Sequence, residues 1–340
     1  MAESRRPRLK DIAAEVGVST MLVSIALRGM TGVSEETRKK IKDCADRLGY
    51  KPDPALAALA DYRRRTREPS SFEQLAYVTN YAVKNDPSWD FSNQFFIGAQ
   101  RRGMDYGYKV VPYWLKEDGC SQSRASSILF NRGIRGLIIA PVPEIEDKLE
   151  LNWKYFSSVA IGTSLVSPEL DHVAFDHHHA MRTTLEKLHE KGYRRVGLYI
   201  RNPINRLRFS PMDAYLGYQY RDADSSPIPP LMLLGVSSSA FWSWYDEHKP
   251  DAIVTDSDPA VLGLLKERGL QAPKDVGLAC FNRFSHDKRS TSSVTQDLQA
   301  IGAASVDRLH TNLLRNAYGI PENSYGIHLQ GQWFAGDTLR

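Results

Sequence analysis

The sequence lacks several features that would otherwise fix its class. Its three cysteines, at 44, 120 and 280, are too few and too widely spaced for a disulfide framework or a zinc site, and reduced thiols are expected. No apolar run reaches the roughly 18 residues that a membrane span requires, so no membrane partner is expected. The opening stretch MAESRRPRLK has charges with no apolar segment behind them and does not read as a secretory signal. The phosphate-binding pattern GxxxxGK(S/T), the nucleophile elbow GxSxG and the zinc helix HExxH are all missing. No catalytic residue, cofactor or metal is therefore expected. The one stretch that invites a metal, AFDHHHAM (Ala174–Met181), places consecutive histidines about 100° apart on a helix, where they diverge. Asp176 reads better as a helix cap, with the histidines as an exposed first turn.

A hydrophobic content of 42% over 340 residues is ample for two or three globular units. The formal charge of +4 is unevenly spread. Residues 1–68 carry 15 Lys and Arg against 10 Asp and Glu, whereas the rest of the chain carries 29 against 30. A local cationic excess of this kind is what phosphate contacts draw on.

The same region holds LKDIAAEVGVSTMLVSIALR (Leu9–Arg28). Ile12, Ala13 and Val16 recur at helical spacing until Gly17 stops them. Ser19 can cap a second helix whose buried face is Val23, Ala26 and Leu27. Two short helices joined by a glycine turn form a helix-turn-helix. Its second helix leaves Thr20, Met21, Ser24 and Ile25 on the other face, near the end that such motifs insert into the major groove. A third helix, capped by Ser34 and ended by Gly49, supplies Ile41, Cys44, Ala45 and Leu48 to a common core.

With the following VSEETRKKIKDCADRLGYKPDPALAAL, this stretch resembles, without a gap over Leu9–Leu59, the DNA-binding head and hinge of the lactose/galactose repressor (LacI/GalR) family. The residues alone predict a short helix after the Asp53-Pro54 pair, too short to be stable by itself. The resemblance implies that it forms on DNA against its twin in a homodimer. Leu59, with Leu56 one turn before it, would then wedge into the central base step. Arg63, Arg64, Arg65 and Arg67 follow, and Pro69–Ser71 mark the boundary to the core.

From Gln74 onward strands and helices alternate in two successive sets, the signature of parallel sheets with crossover helices. Strands are expected at Leu75–Asn80, Tyr108–Tyr113, Gly136–Ala140 and Val159–Ile161, then at Arg195–Ile200, Leu231–Leu234, Ala252–Thr255 and Val276–Cys280. The expected fold is α/β: a three-helix head followed by a two-lobed, doubly wound core with a ligand cleft at the carboxyl ends of the strands. The core resembles the periplasmic-binding-protein fold of the family's effector domain. The expected division is a head at 1–50, a hinge and linker at 51–71 and a core at 72–340. Lobe 1 would hold about 72–161 and 297–320, and lobe 2 about 162–296 and 321–340. The three crossings between lobes are expected near Gly162, Asn282–Ser290 and Ile320.

Four segments resemble the family's cleft: FSNQFF (Phe91–Phe96), TDSDPAVLG (Thr255–Gly263), CFNR (Cys280–Arg283) and TQD (Thr295–Asp297). Aromatic rings stack on sugar faces and Asn, Asp and Gln hold hydroxyls, which makes Phe91, Asn93, Phe96, Asp258, Asn282 and Gln296 the candidate effector contacts. The chain also departs from the family. Gln94 replaces a proline. Ala214 stands where a sugar-gripping arginine precedes a Gly-aromatic pair, here Gly217-Tyr218. Gly162 replaces an aspartate. Arg206 or Arg208 is a candidate substitute for the arginine, and a simple hexose is not to be assumed.

The expectation is a cytoplasmic, homodimeric transcription regulator, most simply a repressor. It would bind a palindromic double-stranded operator and be switched by a sugar-related small molecule. The alternative with the same core fold is a solute-binding protein of a transport system. The helix-turn-helix and the absence of a signal sequence argue against it.

Overall fold

The computed structural model describes residues 7–27, 33–51, 72–80, 88–116, 121–142, 148–201, 210–220, 227–284 and 290–340. Leu56 and Leu59, the arginines at 63–65 and 67, Cys120, Arg206 and Arg208 lie outside them.

The head is three helices: α1 (Leu9–Val16), α2 (Thr20–Leu27) and α3 (Glu35–Leu48). Gly17 ends α1 at φ 75°, a left-handed conformation that costs glycine nothing, and its N–H bonds Ala13 O at 3.0 Å. Ser19 and Ser34 cap the next two helices by accepting from the Leu22 and Thr37 amides at 3.1 and 3.2 Å. Ile12, Val23 and Ile41, one from each helix, are fully buried together.

The core is built on two six-stranded sheets. The first holds β1 (Glu73–Thr79), β2 (Tyr108–Trp114), β3 (Gly136–Ile139), β4 (Ser157–Ile161) and β5 (Asp171–Phe175). Helix α4 (Ser88–Asp105) connects β1 to β2, and α5 (Gln122–Asn131) connects β2 to β3. The second sheet follows helix α6 (His177–Glu190) and holds β6 (Val196–Ile200), β7 (Leu231–Met232), β8 (Ala252–Thr255), β9 (Gly277–Phe284) and β10 (Ser292–Gln296). Helices α7 (Ser210–Gln219), α8 (Ser238–His248) and α9 (Asp258–Glu267) lie between those strands. Then α10 (Leu298–Leu314) returns to the first sheet, β11 (Gly326–Leu329) joins its edge beside β5, and β12 (Gln332–Phe334) joins the second beside β10.

Among the described strands all pairings are parallel except β10 with β12. Parallel sheets must be covered on both faces, and alternate residues of β1 show it. Leu75 and Tyr77 pack with Phe95, Ile301 and Leu309, while Ala76 and Val78 pack with Leu129 and Phe156. The second sheet repeats this, with Leu198 and Val254 against Met181 and Tyr215, and Tyr199 and Ile253 against Phe241 and Leu264.

The chain passes between sheets at Asp176, at Asp297 and at residues 330–331, each downstream of the points expected at Gly162, Asn282–Ser290 and Ile320. Gly162 is only the left-handed end of β4, its N–H bonded to Val173 O at 2.8 Å. Strands β5 and β11 had no sequence signal of their own, because each is short and begins on polar or small residues. The first and third crossings lie against each other: the Asp176 N–H bonds Leu329 O at 2.9 Å. No helix among the described residues is long and apolar enough to cross a membrane.

Candidate nucleic-acid interface and effector cleft

The head turns the start of α2 outward. Thr20 and Met21 are exposed, Met21 at 72%, while Ser24 and Ile25 one turn later are half-buried. Val23 and Ala26 on the opposite face anchor α2 to its neighbours. Arg38 of α3 donates to Ala26 O at 2.9 Å, satisfying a carbonyl that the end of α2 leaves open. Arg47 of α3 pairs with Glu15 of α1. A helix held at its C-terminal end and presenting its N-terminal end can enter a major groove with side chains leading. Met21 and Ile25 cannot donate to base edges, so they would read a groove by apolar contact.

The cleft candidates are brought to the carboxyl ends of the strands, on different terms. Helix α4 begins at Ser88. Phe91 is 36% exposed, its ring 5.1 Å from that of Phe95 one turn on and 5.3 Å from that of Phe284 in the second sheet. Asn93 is half-buried. Phe96, expected in the cleft, is instead a core residue, 5.3 Å from the Tyr77 ring. It lies five residues beyond the exposed Phe91, so helical rotation turns it toward the sheet that Phe95 also meets. Asp258 opens α9 and is also withdrawn: it is buried and accepts from Thr291 Oγ1 at 2.7 Å. Asn282 and Gln296 face each other across β9 and β10, with Gln296 Nε2 donating to Asn282 Oδ1.

Three further features of the site lay outside the candidate set. Strand β9 runs on to Phe284, four residues past its expected end at Cys280, and Phe284 pairs in register with Gln296. Strand alternation would have found it had the expected strand not stopped at Cys280, ahead of the polar pair Asn282-Arg283. Gln94 accepts from Gln299 Nε2 at 3.0 Å, and Gln299 Oε1 accepts from Arg101 at 2.7 Å, tying the cleft end of α4 to that of α10. Thr291, which holds Asp258, carries no motif at all.

The remaining departures are plain in place. Ala214 is buried against the second sheet. Asp176 caps α6, accepting from the His179 amide at 2.8 Å. Only His178 of the three histidines is exposed, so the expected exposed turn is corrected for His177 and His179. The His177 ring packs edge-on to Phe175 at 5.0 Å, and burial lowers its pKa to about 4. No group of three or more His, Cys, Asp or Glu among the described residues is arranged to hold a metal ion.

Comparison with known proteins gives two family matches: "Bacterial regulatory proteins, lacI family" over residues 8–53, and "Periplasmic binding protein-like domain" over residues 185–327. The chain is similar to catabolite control protein A of Priestia megaterium, 24% identical over 318 residues, which are 87% of this chain and 89% of that protein. Among solved structures it resembles a transcriptional regulator CelR–cellobiose complex, with a TM-score of 0.58 and 18% identity over 98% of this chain and 100% of that one. It also resembles the lac repressor dimer bound to operator and the anti-inducer ONPF, with a TM-score of 0.54 and 18% identity over 99% of this chain and 100% of that one.

Proposed function

Because the chain belongs to the lacI family of bacterial regulatory proteins, whose members are DNA-binding transcription regulators and not enzymes, we propose that it is a ligand-responsive repressor. It acts in the cytoplasm as a homodimer on a palindromic operator. A carbohydrate-related molecule in the interlobe cleft switches it. The observation that carries the reading is the joining, in one chain, of an outward-facing α2 start with a two-lobed core.

The reading includes a route between the two sites. The linker enters lobe 1 at the amino end of β1, and the cleft lies at the carboxyl ends of the same sheet. A ligand that changes the angle between lobes therefore acts on lobe 1, and lobe 1 carries the linker. One relative of solved structure holds cellobiose and another the anti-inducer ONPF, and the first supports a carbohydrate here. Contacts to DNA are assigned to Thr20, Met21, Ser24 and Ile25, with Leu56 and Leu59 as the hinge wedge. The effector contacts are assigned to Phe91, Asn93, Asn282 and Gln296.

The test is selection of bound sequences from random DNA by the full-length protein. A motif with two-fold symmetry, and half-sites one helical turn or a multiple apart, is expected. Recovery of no motif at physiological salt would overturn the reading. The transport alternative predicts that outcome together with tight binding of a solute.

A further inference from the structure

Among the described residues around the ends of β9 and β10, three charged groups border the cleft, and each is turned away from it. The Asp258 carboxylate is buried and held by Thr291 Oγ1 at 2.7 Å. The Arg283 guanidinium lies over the Phe334 ring at 4.1 Å, on the face of β9 opposite Asn282 and Phe284. Asp297 Oδ1 caps α10, accepting from the Gln299 and Ala300 amides at 2.9 and 3.1 Å. What faces inward at the ends of β9 and β10 is neutral. The bond between Gln296 and Asn282 uses Asn282 Oδ1 and one Gln296 amide hydrogen. Asn282 Nδ2 and Gln296 Oε1 remain as one donor group and one acceptor, the complement of a hydroxyl. Beside them Phe284, in register with Gln296, meets Phe91 from the other lobe with ring centroids 5.3 Å apart.

We propose that this facet takes an uncharged carbohydrate ring and that Phe284 is a specificity-determining residue, closing with Phe91 as a two-lobed aromatic clamp on the ring's apolar face. The inference rests on the effector-cleft reading above and adds to it the charge class of the ligand and a residue that the family resemblance did not mark. A sugar ring offers both surfaces at once, hydroxyls at its rim and C–H groups on its face. An anionic sugar has no cation to meet here among the described residues of this facet. It would also lie near the ordered carboxylates Asp258 and Asp297. Since the two rings belong to different lobes, occupancy between them changes the contact that joins the lobes.

The experiment is isothermal titration of the full-length protein with two sets of probes. The neutral set is cellobiose, maltose and methyl β-D-glucopyranoside. The anionic set is glucose 6-phosphate and gluconate. Binding of at least one neutral probe is expected, weakened at least tenfold by Phe284→Leu and retained in Phe284→Tyr, which keeps the ring. The leucine variant preserves apolar volume, so its loss of binding alongside a binding-competent tyrosine variant speaks for the ring and not for the fold. Binding confined to the anionic set, binding of no probe, or an unchanged affinity in Phe284→Leu each overturns the proposal. The same preparation is carried through the DNA selection. A motif recovered alongside any of those three results leaves the regulator reading standing and removes only the clamp, whereas no motif removes the regulator reading itself.

Discussion

Asp171 is the most heavily bonded carboxylate among the described residues of the first sheet. It is buried, accepts from Arg308 Nε and Nη2 at 2.8 Å each and from Asn312 Nδ2 at 2.8 Å, and takes the Tyr325 amide on its other oxygen at 2.8 Å. One side chain thus joins β5, α10 and the entry to β11. Removing one partner of such a pair strands a buried charge, so Asp171→Ala should lower stability by about 3–5 kcal/mol in urea unfolding of the core. A loss below about 1 kcal/mol would show the network to be dispensable. His177 sets a second residue-level expectation. Burial lowers its pKa from the ordinary 6.5 to about 4, Asp176 opposing and His328 assisting the shift. The unfolded chain therefore binds the proton that the folded one refuses. Stability from this group is whole above pH 6.5 and is lost as pH falls toward 4, by about 3 kcal/mol in all. His177→Phe should flatten that limb of the stability profile, and an unaltered slope between pH 6.5 and 4 would contradict the assignment. At the DNA face, Ile25→Arg should add a guanine preference to the selected half-site, since a bidentate arginine contact is worth roughly 1–3 kcal/mol. An unchanged motif in that variant would remove Ile25 from base reading.

At the scale of elements, the cleft is held in shape by two helices that touch backbone to backbone. A Cβ on Gly98 of α4 would stand 1.9 Å from Gln299 O, and one on Gly302 of α10 would stand 1.9 Å from Phe95 O. Backbone cannot yield as a side-chain tip can, so the helices would have to part. The residues concerned adjoin Gln94 and Gln299, whose hydrogen bond ties the same two helices at the cleft. Gly302→Ala should therefore destabilise the core by about 1–3 kcal/mol through overpacking, and ligand affinity should fall with it. A variant with unchanged Tm and affinity would mean that the crossing relaxes freely. The elements also show what sequence can and cannot disclose. Ser19, Ser34 and Asp176 were readable as caps because a cap is a local arrangement of a side chain and an amide three residues on. The glycine crossing was not, because Gly98 and Gly302 are 204 positions apart and each alone reads as a helix of lower propensity. Strands β5 and β11 failed for a related reason. Each is made a strand by its neighbours in the sheet and not by its own alternation.

At the scale of the molecule, the head was legible almost residue by residue, since its core of Ile12, Val23 and Ile41 is a short-range helical pattern. The cleft was legible only as segments. Sequence brought Asn282 and Gln296 forward, but which of the candidates turn inward depends on tertiary partners, as Thr291 for Asp258 and the Tyr77 ring for Phe96 demonstrate. Assembly is the remaining question at this scale. One head reads one half-site, so a two-fold operator requires two chains. The stretch GQWFAGDTLR that follows Gln330 is occupied within its own lobe. Residues Gln332–Phe334 pair with β10, Thr338 Oγ1 donates to Leu278 O at 2.6 Å, and Thr338 and Leu339 are buried. A segment folded back onto the second sheet is not available to bridge two dimers. Light scattering at low micromolar concentration should therefore give twice the 38.4 kDa mass of the chain. Dilution below the dimer dissociation constant should abolish operator binding before it abolishes non-specific binding, because only the former needs both heads. A mass of four chains, or operator affinity that survives in a chain shown to be monomeric, would sink the dimer and with it the pairing of the hinge leucines.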